Sequence, residues 1–307
     1  MKATRQAVAP TLIEMGKENP NIVALDADLA ESTGLNKFGK EFPDRFFDCG
    51  VAEQNMMSTA AGLAVSGKTP FVGSFTVFTI GRAWDQLRNV VAYADLNVKI
   101  CSTHSGVSVG EDGSSHQPIE DIAMLRALPN MKIIVPADFY EAREALKASV
   151  EIPGPVFIRL GRPKMPQVYD DDYAFKFGKA DVLKAGKDLS IIATGLMVRM
   201  ALDAADMLQQ DGIDAEVINM STIKPLDEAT LIESAQKTGR VLTVEEHSIV
   251  GGLGGAVSET LSEKLPTPVT RIGVKDRFGT SGPYQEVLKY FGLTPENIAK
   301  TAKEALL

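Results

Sequence analysis

Only two cysteines, Cys49 and Cys101, and only three histidines occur in 307 residues. Two isolated thiols provide neither a disulfide framework nor metal-type spacing, a usage that fits a reducing compartment. An excess of positive charge is also missing. The net charge is −8 and the isoelectric point about 5.1, which argues against a nucleic-acid surface or an anionic-membrane binder. An anionic ligand would then be met by a few placed cations rather than by a general field. No apolar run is long enough to span a bilayer. The opening Met1-Lys2-Ala3-Thr4-Arg5-Gln6 lacks the apolar region of a secretory leader, so the expected location is cytoplasmic. Internal repeats and low-complexity tracts are absent as well.

What is present is an ordinary globular composition, 44% hydrophobic and 23% charged, at a length that suits two domains of about 150 residues each. Short β-rich runs alternate with helix-like segments, the pattern of an α/β protein with mostly parallel sheets and helices on both faces. In the first half the expected strands are Asn21–Leu25, Phe46–Cys49, Pro70–Gly73, Val98–Ser102, Lys132–Val135 and Val156–Leu160. Several are nearly continuously apolar, as strands buried on both faces are. Helices are expected near Arg5–Asn19, Gln54–Ser66, Gly81–Tyr93, Ile119–Ala127 and Tyr140–Val150.

A stretch with two prolines and an acidic run, from Pro163 to Tyr173, reads as a connection between domains. The expected division is residues 1–165 as the first domain, 166–177 as linker and 178–307 as the second. The alternation then restarts with strands at Leu189–Ala193, Ala215–Ile218, Arg240–Val244 and Val269–Ile272. Met197, Met200, Ala201, Ala204 and Leu208 share one helical face, and Gly212 supplies the stop. Thr294-Pro295-Glu296 opens a last helix, with Thr as cap and Pro at the first helical position.

Chemistry concentrates in three places. Glu53 follows an expected strand in Gly50-Val51-Ala52-Glu53-Gln54-Asn55-Met56-Met57, among apolar neighbours. A pair of aromatics, Phe75 and Phe78, follows the next strand, and such rings suit stacking on a flat heterocycle. Two of the three histidines, His104 and His116, flank Gly110-Glu111-Asp112-Gly113. Their spacing matches no zinc-type ligand pattern. A triad of Ser115, His116 and Asp112 fails, because sequence neighbours rarely point at one another and no nucleophile elbow is present. Donors to a polyhydroxylated substrate fit best, since imidazole exchanges protons near pH 7. Arg162, at the end of an expected strand, and Arg5 are candidates for bidentate phosphate binding. Chain ends usually fray, so Arg5 would need pinning. Gly251-Gly252-Leu253-Gly254-Gly255 resembles a dinucleotide fingerprint, but close helix–strand packing is the better reading. His247 beside it reads as structural.

Taken together, the Glu53 segment, the Phe75/Phe78 patch, Thr103-His104-Ser105-Gly106 and Gly110 to Pro118 resemble the pyrimidine-binding half of a thiamine diphosphate enzyme of the transketolase family. The remainder of the chain looks like that family's C-terminal domain, so the resemblance covers essentially all of it. It implies a thiamine diphosphate-binding fold in the first domain. It also implies that Glu53 activates the cofactor by hydrogen bonding its pyrimidine nitrogen, and that Phe78 and Phe75 hold the ring, with Asp28 nearby. His104, Asp112 and His116 would bind sugar hydroxyls and assist proton transfer. Arg5, Ser32 and Arg162 would hold the substrate phosphate.

The family's Gly-Asp-Gly segment with a downstream Asn, which holds diphosphate and metal, has no counterpart in the chain. The resemblance therefore implies a partner N-terminal subunit that supplies the diphosphate site and the ligands of Mg²⁺ or Ca²⁺, with no metal ligand in this chain, in an α₂β₂ assembly. The implied activity is transfer of a two-carbon ketol unit from a ketose phosphate to an aldose phosphate, as in pentose phosphate metabolism. Two sibling families share Ala52-Glu53-Gln54. The 1-deoxyxylulose-5-phosphate synthases resemble the chain at Arg82-Ala83-Trp84-Asp85-Gln86 but tend to place an acid at the position of His104. The beta subunits of 2-oxo acid dehydrogenases lack the Gly-Glu-Asp-Gly to His-Gln-Pro run. Both use pyruvate-like donors. A non-catalytic regulatory subunit with the same fold is the further alternative.

Overall fold

Six strands of the N-terminal half, β1 (Ile22–Asp26), β2 (Phe46–Asp48), β3 (Thr69–Gly73), β4 (Lys99–Ser102), β5 (Lys132–Ile134) and β6 (Val156–Arg159), lie in the order β5-β6-β4-β3-β1-β2. Every pairing among them is parallel. The computed structural model describes all residues, 1–307. It divides into two units, one of Met1–Ser105 with Leu125–Phe177, the other of Gly106–Met124 with Gly178–Leu307.

In the first unit β1 and β3 are buried at every position, the outcome anticipated for apolar strands covered on both faces. Leu12, Ile22, Phe38, Phe71, Leu146 and Ile158 pack into one core. The expected N-terminal helix is shorter: a 3₁₀ turn over Thr4–Ala7 leads into an α-helix at Val8–Glu18. The expected helix at Gly81–Tyr93 is instead two wide π-helical runs, Val77–Arg82 and Gln86–Ala92. Such runs are rare and cluster at functional sites, because the extra residue per turn re-aims side chains. Two short helices, Ala30–Thr33 and Leu35–Glu41, have too few turns to show a periodicity and were not anticipated.

In the second unit the strands are β7 (Asp181–Lys184), β8 (Leu189–Ala193), β9 (Ala215–Asn219), β10 (Thr222–Lys224), β11 (Val241–Ser248) and β12 (Val269–Val274). Five of them form a sheet in the order β12-β11-β8-β9-β7, parallel except at the β7 edge. The short β7 and β10 lack a buried apolar run and were missed. In the helix Met197–Gln210 the face Met197, Ala201, Ala204 and Leu208 is buried and Met200 half-buried, and Gly212 follows with φ 77°. The last helix, Pro295–Leu306, is capped by the Thr294 side chain, which accepts from Asn297 N–H at 3.4 Å. Close approach explains two residues of the glycine cluster. A Cβ on Gly254 would lie 2.8 Å from both Thr243 and Arg271, and one on Gly252 would collide with Glu245. No helix is long and apolar enough to cross a membrane.

Candidate active site

The carboxyl ends of β1, β2, β3, β4 and β6 each lead into a segment that carries candidate residues, at the edge where open parallel sheets bind ligands. After β2 the chain turns through Gly50 (φ 65°) and enters the helix Glu53–Val65 at its first residue. Glu53 is 2% exposed, and its carboxylate accepts from Arg82 Nη1 through both oxygens, at 2.8 and 2.9 Å. Arg82 ends the first π-helical run with its side chain 48% exposed. Its guanidinium carbon lies 4.5 Å from the centre of the Phe78 ring. A planar N–H-donating cation thus sits against a buried carboxylate and over an aromatic face. A buried acceptor beside an aromatic face is what a flat, N–H-donating heterocycle would require in the place the guanidinium takes.

Phe75 links Phe78 to the next strand end. The rings of Phe75 and Phe78 are nearly parallel, with centroids 6.1 Å apart, and the imidazole of His104 stacks on Phe75 at 3.7 Å. His104 is buried and adopts φ 57°, an uncommon left-handed conformation for a residue with a side chain. Its Nδ1 is 2.9 Å from Thr103 Oγ1. Beneath these rings a hydroxyl network ties the π-helical run to β4. Thr79 Oγ1 and Ser102 Oγ are 2.5 Å apart, Thr76 Oγ1 and Ser105 Oγ 2.7 Å, and Thr76 Oγ1 donates to Thr103 O at 3.0 Å.

Three carboxylates, Asp26, Asp28 and Asp48, gather at the carboxyl ends of β1 and β2. Asp26 is fully buried and accepts from Leu29 N–H at 2.6 Å and from Thr33 Oγ1 at 2.8 Å. Burial pushes its carboxyl up to about 6, against those two hydrogen bonds, and the neighbouring Asp48 adds to the rise. Asp28 is exposed at φ 63°, its N–H donating to Asp48 Oδ1 at 3.1 Å. Burial, with Asp48 and Asp26 nearby, also raises the Cys49 thiol.

Arg5, Ser32 and Arg162 are brought together. Arg5 Nη1 donates to Ser32 O at 2.7 Å and its Nε to Arg162 O at 3.3 Å. The anticipated pinning of the N-terminus is supplied by Thr4, whose Oγ1 accepts from Gly161 N–H at 2.7 Å. Arg5, Ser32 and Lys37 line a cavity of about 450 Å³ in this unit. Asp112 and His116 lie on the segment Gly106–Met124, which packs with the C-terminal unit. Asp112 is exposed, and His116 is half-buried with Nδ1 3.0 Å from Ser115 Oγ.

Sequence reasoning missed Arg82 as the partner of Glu53, Asp26 as the buried acid beside Asp28, and the threonine network. An arginine inside a helical segment carries no mark of what it faces. Only the occurrence of Asp26 at the end of an apolar strand was available as a signal.

Comparison with known proteins divides the chain in sequence order, with the segment Gly106–Met124 inside the first match although it packs with the second unit. Residues 1–167 match the family model described as transketolase, pyrimidine binding domain, and residues 178–298 the one described as transketolase, C-terminal domain. The chain is 50% identical over 308 residues to a putative transketolase C-terminal section of Methanocaldococcus jannaschii, covering 99% of this chain and 96% of the relative. It is 43% identical to one of the subunits of the apulose-4-phosphate transketolase of Phocaeicola vulgatus, covering 99% of this chain and 97% of that subunit. The human transketolase is 39% identical over 98% of this chain, which spans only 48% of that longer protein. Among solved structures, a split gene transketolase described as an inactive β4 tetramer superposes with a TM-score of 0.91 at 49% identity, covering 99% of this chain and 98% of the other.

Proposed function

The chain belongs to the transketolase family, and from that premise we propose that it is the pyrimidine-binding subunit of a split, thiamine diphosphate-dependent transketolase. With a partner chain it moves a two-carbon ketol unit from a ketose phosphate to an aldose phosphate. The observation that carries the reading is the buried Glu53 carboxylate with a planar N–H donor against it and the Phe78 face below. The Arg82 guanidinium stands in there for the aminopyrimidine of thiamine diphosphate, and the residues fit that ring.

Thiamine diphosphate, when bound, supplies a thiazolium carbon that is both nucleophile and electron sink. Glu53 would hold the ring by a hydrogen bond to its pyrimidine nitrogen, and the burial of the carboxylate would strengthen that bond. Phe78 and Phe75 give the ring an apolar bed. His104, Asp112 and His116 take and return protons at substrate hydroxyls. Arg5, Ser32 and Arg162 hold the terminal phosphate. Diphosphate and divalent metal, Mg²⁺ or Ca²⁺, are held by an N-terminal partner subunit in an α₂β₂ assembly. The relative described as an inactive β4 tetramer supports dependence on that partner. The sugar differs among split relatives, one named for apulose 4-phosphate and another for 6-deoxy-6-sulfo-D-fructose. Xylulose 5-phosphate is therefore the first donor to test rather than the only one.

The test co-purifies the chain with a candidate N-terminal transketolase subunit from the same organism. Release of glyceraldehyde 3-phosphate from xylulose 5-phosphate and ribose 5-phosphate is then followed. Activity should require both chains, thiamine diphosphate and Mg²⁺. Glu53→Gln should lower kcat by about 10²- to 10⁴-fold while the complex still assembles. An active Glu53→Gln complex would overturn the reading, and turnover of pyruvate instead of any ketose would move the chain to one of the sibling families.

A further inference from the structure

Near its end strand β11 carries Glu245-Glu246-His247, three ionisable residues that are all buried and that the catalytic assignments above leave without a role. Buried charge is costly unless it is hydrogen-bonded, so each of the three should have a structural partner. Glu245 accepts from Leu253 N–H at 2.7 Å and Gly254 N–H at 2.8 Å, at the start of the helix Leu253–Lys264. His247 Nε2 accepts from Ala123 N–H at 3.3 Å. Glu246, whose side chain alternates to the opposite face of the strand, accepts from Ser108 N–H. Two of these four partners, Ala123 and Ser108, bracket the segment that carries Asp112 and His116.

That segment has little regular structure to hold its shape. It is built of two short 3₁₀ turns, Val107–Asp112 and Ser114–His116, set off by Gly106, Gly110 and Gly113 at φ 78°, 79° and 81°. Its fixed points come from the body of the C-terminal unit. Gln117 Nε2 donates to Thr280 O at 2.8 Å as well as to Val107 O and Gly110 O within the segment. Ser281 Oγ donates to Glu111 O at 2.9 Å. The contact with Glu246 is the most enclosed of these. Ser108 is fully buried and Glu246 is 4% exposed, and a Cβ on Gly106 would lie 2.5 Å from the Glu246 carboxyl. The glycine at 106 is therefore required twice, by its φ and by the carboxylate beside it.

We propose that Glu246 is a positioning residue: it fixes the Val107–His116 turn from the body of the C-terminal unit and so sets where Asp112 and His116 stand. The C-terminal domain then has a defined task in the reaction, as the rigid seat of the substrate-binding turn. This rests on the function proposed above for Asp112 and His116, but the seating of the turn is measurable without substrate.

The test compares Glu246→Gln, which keeps an acceptor of the same shape, with Glu246→Leu, which removes it and leaves Ser108 N–H buried and unpaired. Both variants are made in the full chain assembled with its partner. Hydrogen exchange in the peptide spanning residues 105–118 should accelerate about 10- to 100-fold in Glu246→Leu and stay near wild type in Glu246→Gln. In the assembled enzyme Glu246→Leu should raise KM for the sugar phosphates or lower kcat by a similar factor. Thiamine diphosphate affinity should be unchanged, because Glu53, Phe75 and Phe78 lie in the other unit. If Glu246→Leu does not assemble, Glu246→Asp, which withdraws the carboxylate by one methylene, must show the same accelerated exchange. Wild-type exchange and kinetics in the Leu or Asp variant, or equal damage from Gln and Leu, would overturn the proposal. Accelerated exchange in Glu246→Leu, together with a wild-type assembly that transfers no ketol, would leave the seating intact and refute the function instead.

Discussion

Asp26→Asn is expected to stabilise the protein at neutral pH, against the usual effect of altering a fully buried residue. In the folded chain the Asp26 carboxyl is pushed from an ordinary 3.8 up to about 6 because burial disfavours its anion more than Leu29 N–H and Thr33 Oγ1 support it. Between those two values the folded state binds more proton than the unfolded one. Stability contributed by this group is therefore fully present below pH 3.8 and is lost as pH rises through 6. At 1.36 kcal/mol per pH unit, the interval from 3.8 to about 6 corresponds to about 3 kcal/mol lost at pH 7.5. Asparagine keeps the acceptor for Leu29 N–H, and its amide can donate to Thr33 Oγ1 while that hydroxyl donates to Ala30 O, 3.4 Å away. The substitution thus removes the ionisation and keeps the hydrogen bonds. The assay is urea unfolding of the wild type and the variant at half-unit steps from pH 4 to 8. The difference in unfolding free energy should be near zero or slightly negative at pH 4 and should rise toward about 2–3 kcal/mol above pH 6.5. A difference that does not change with pH would refute the reasoning, because it would mean that Asp26 titrates alike in both states.

Two further substitutions test other charged pairs and burials. Burial and nearby Lys132 lower the Lys99 ammonium to about 7, even though it donates to Ile152 O at 2.5 Å and Gly154 O at 3.0 Å. The unfolded chain binds more proton between pH 7 and 10.5, so wild-type stability should rise across that window, and Lys99→Met should abolish the rise in pH-dependent thermal unfolding. Arg82→Ala leaves Glu53 buried without its cation. Because Arg82 is half exposed, the cost in the cofactor-free assembly should be about 1–3 kcal/mol. Added thiamine diphosphate should restore part of it, so that the cofactor raises the Tm of the variant by more than that of the wild type.

Local periodicity and backbone demands made the fold legible from residues alone. The apolar runs that became β1, β3, β4, β6 and β8, the amphipathic Met197–Gln210 and the Thr294-Pro295 helix start each express a preference that needs only neighbours in sequence. Glu53 was singled out by the resemblance its neighbouring motifs carry; its place as the first residue of the helix, one position before the expected start, and its burial came from the structure. What the chain does with those residues required distance in sequence to become closeness in space. Arg82 meets Glu53 across 29 positions, Phe75 meets His104 across a strand pairing, and Arg5 reaches both Ser32 and Arg162. The run from Gly106 to Met124 sits between β4 and β5 in the chain, yet it is hydrogen-bonded to β11 and to Thr280 and Ser281. Hydrophobic pattern says which side of an element is buried, but not which buried donor will find which acceptor. That pairing is settled only when the polar groups of separate elements must satisfy one another out of water.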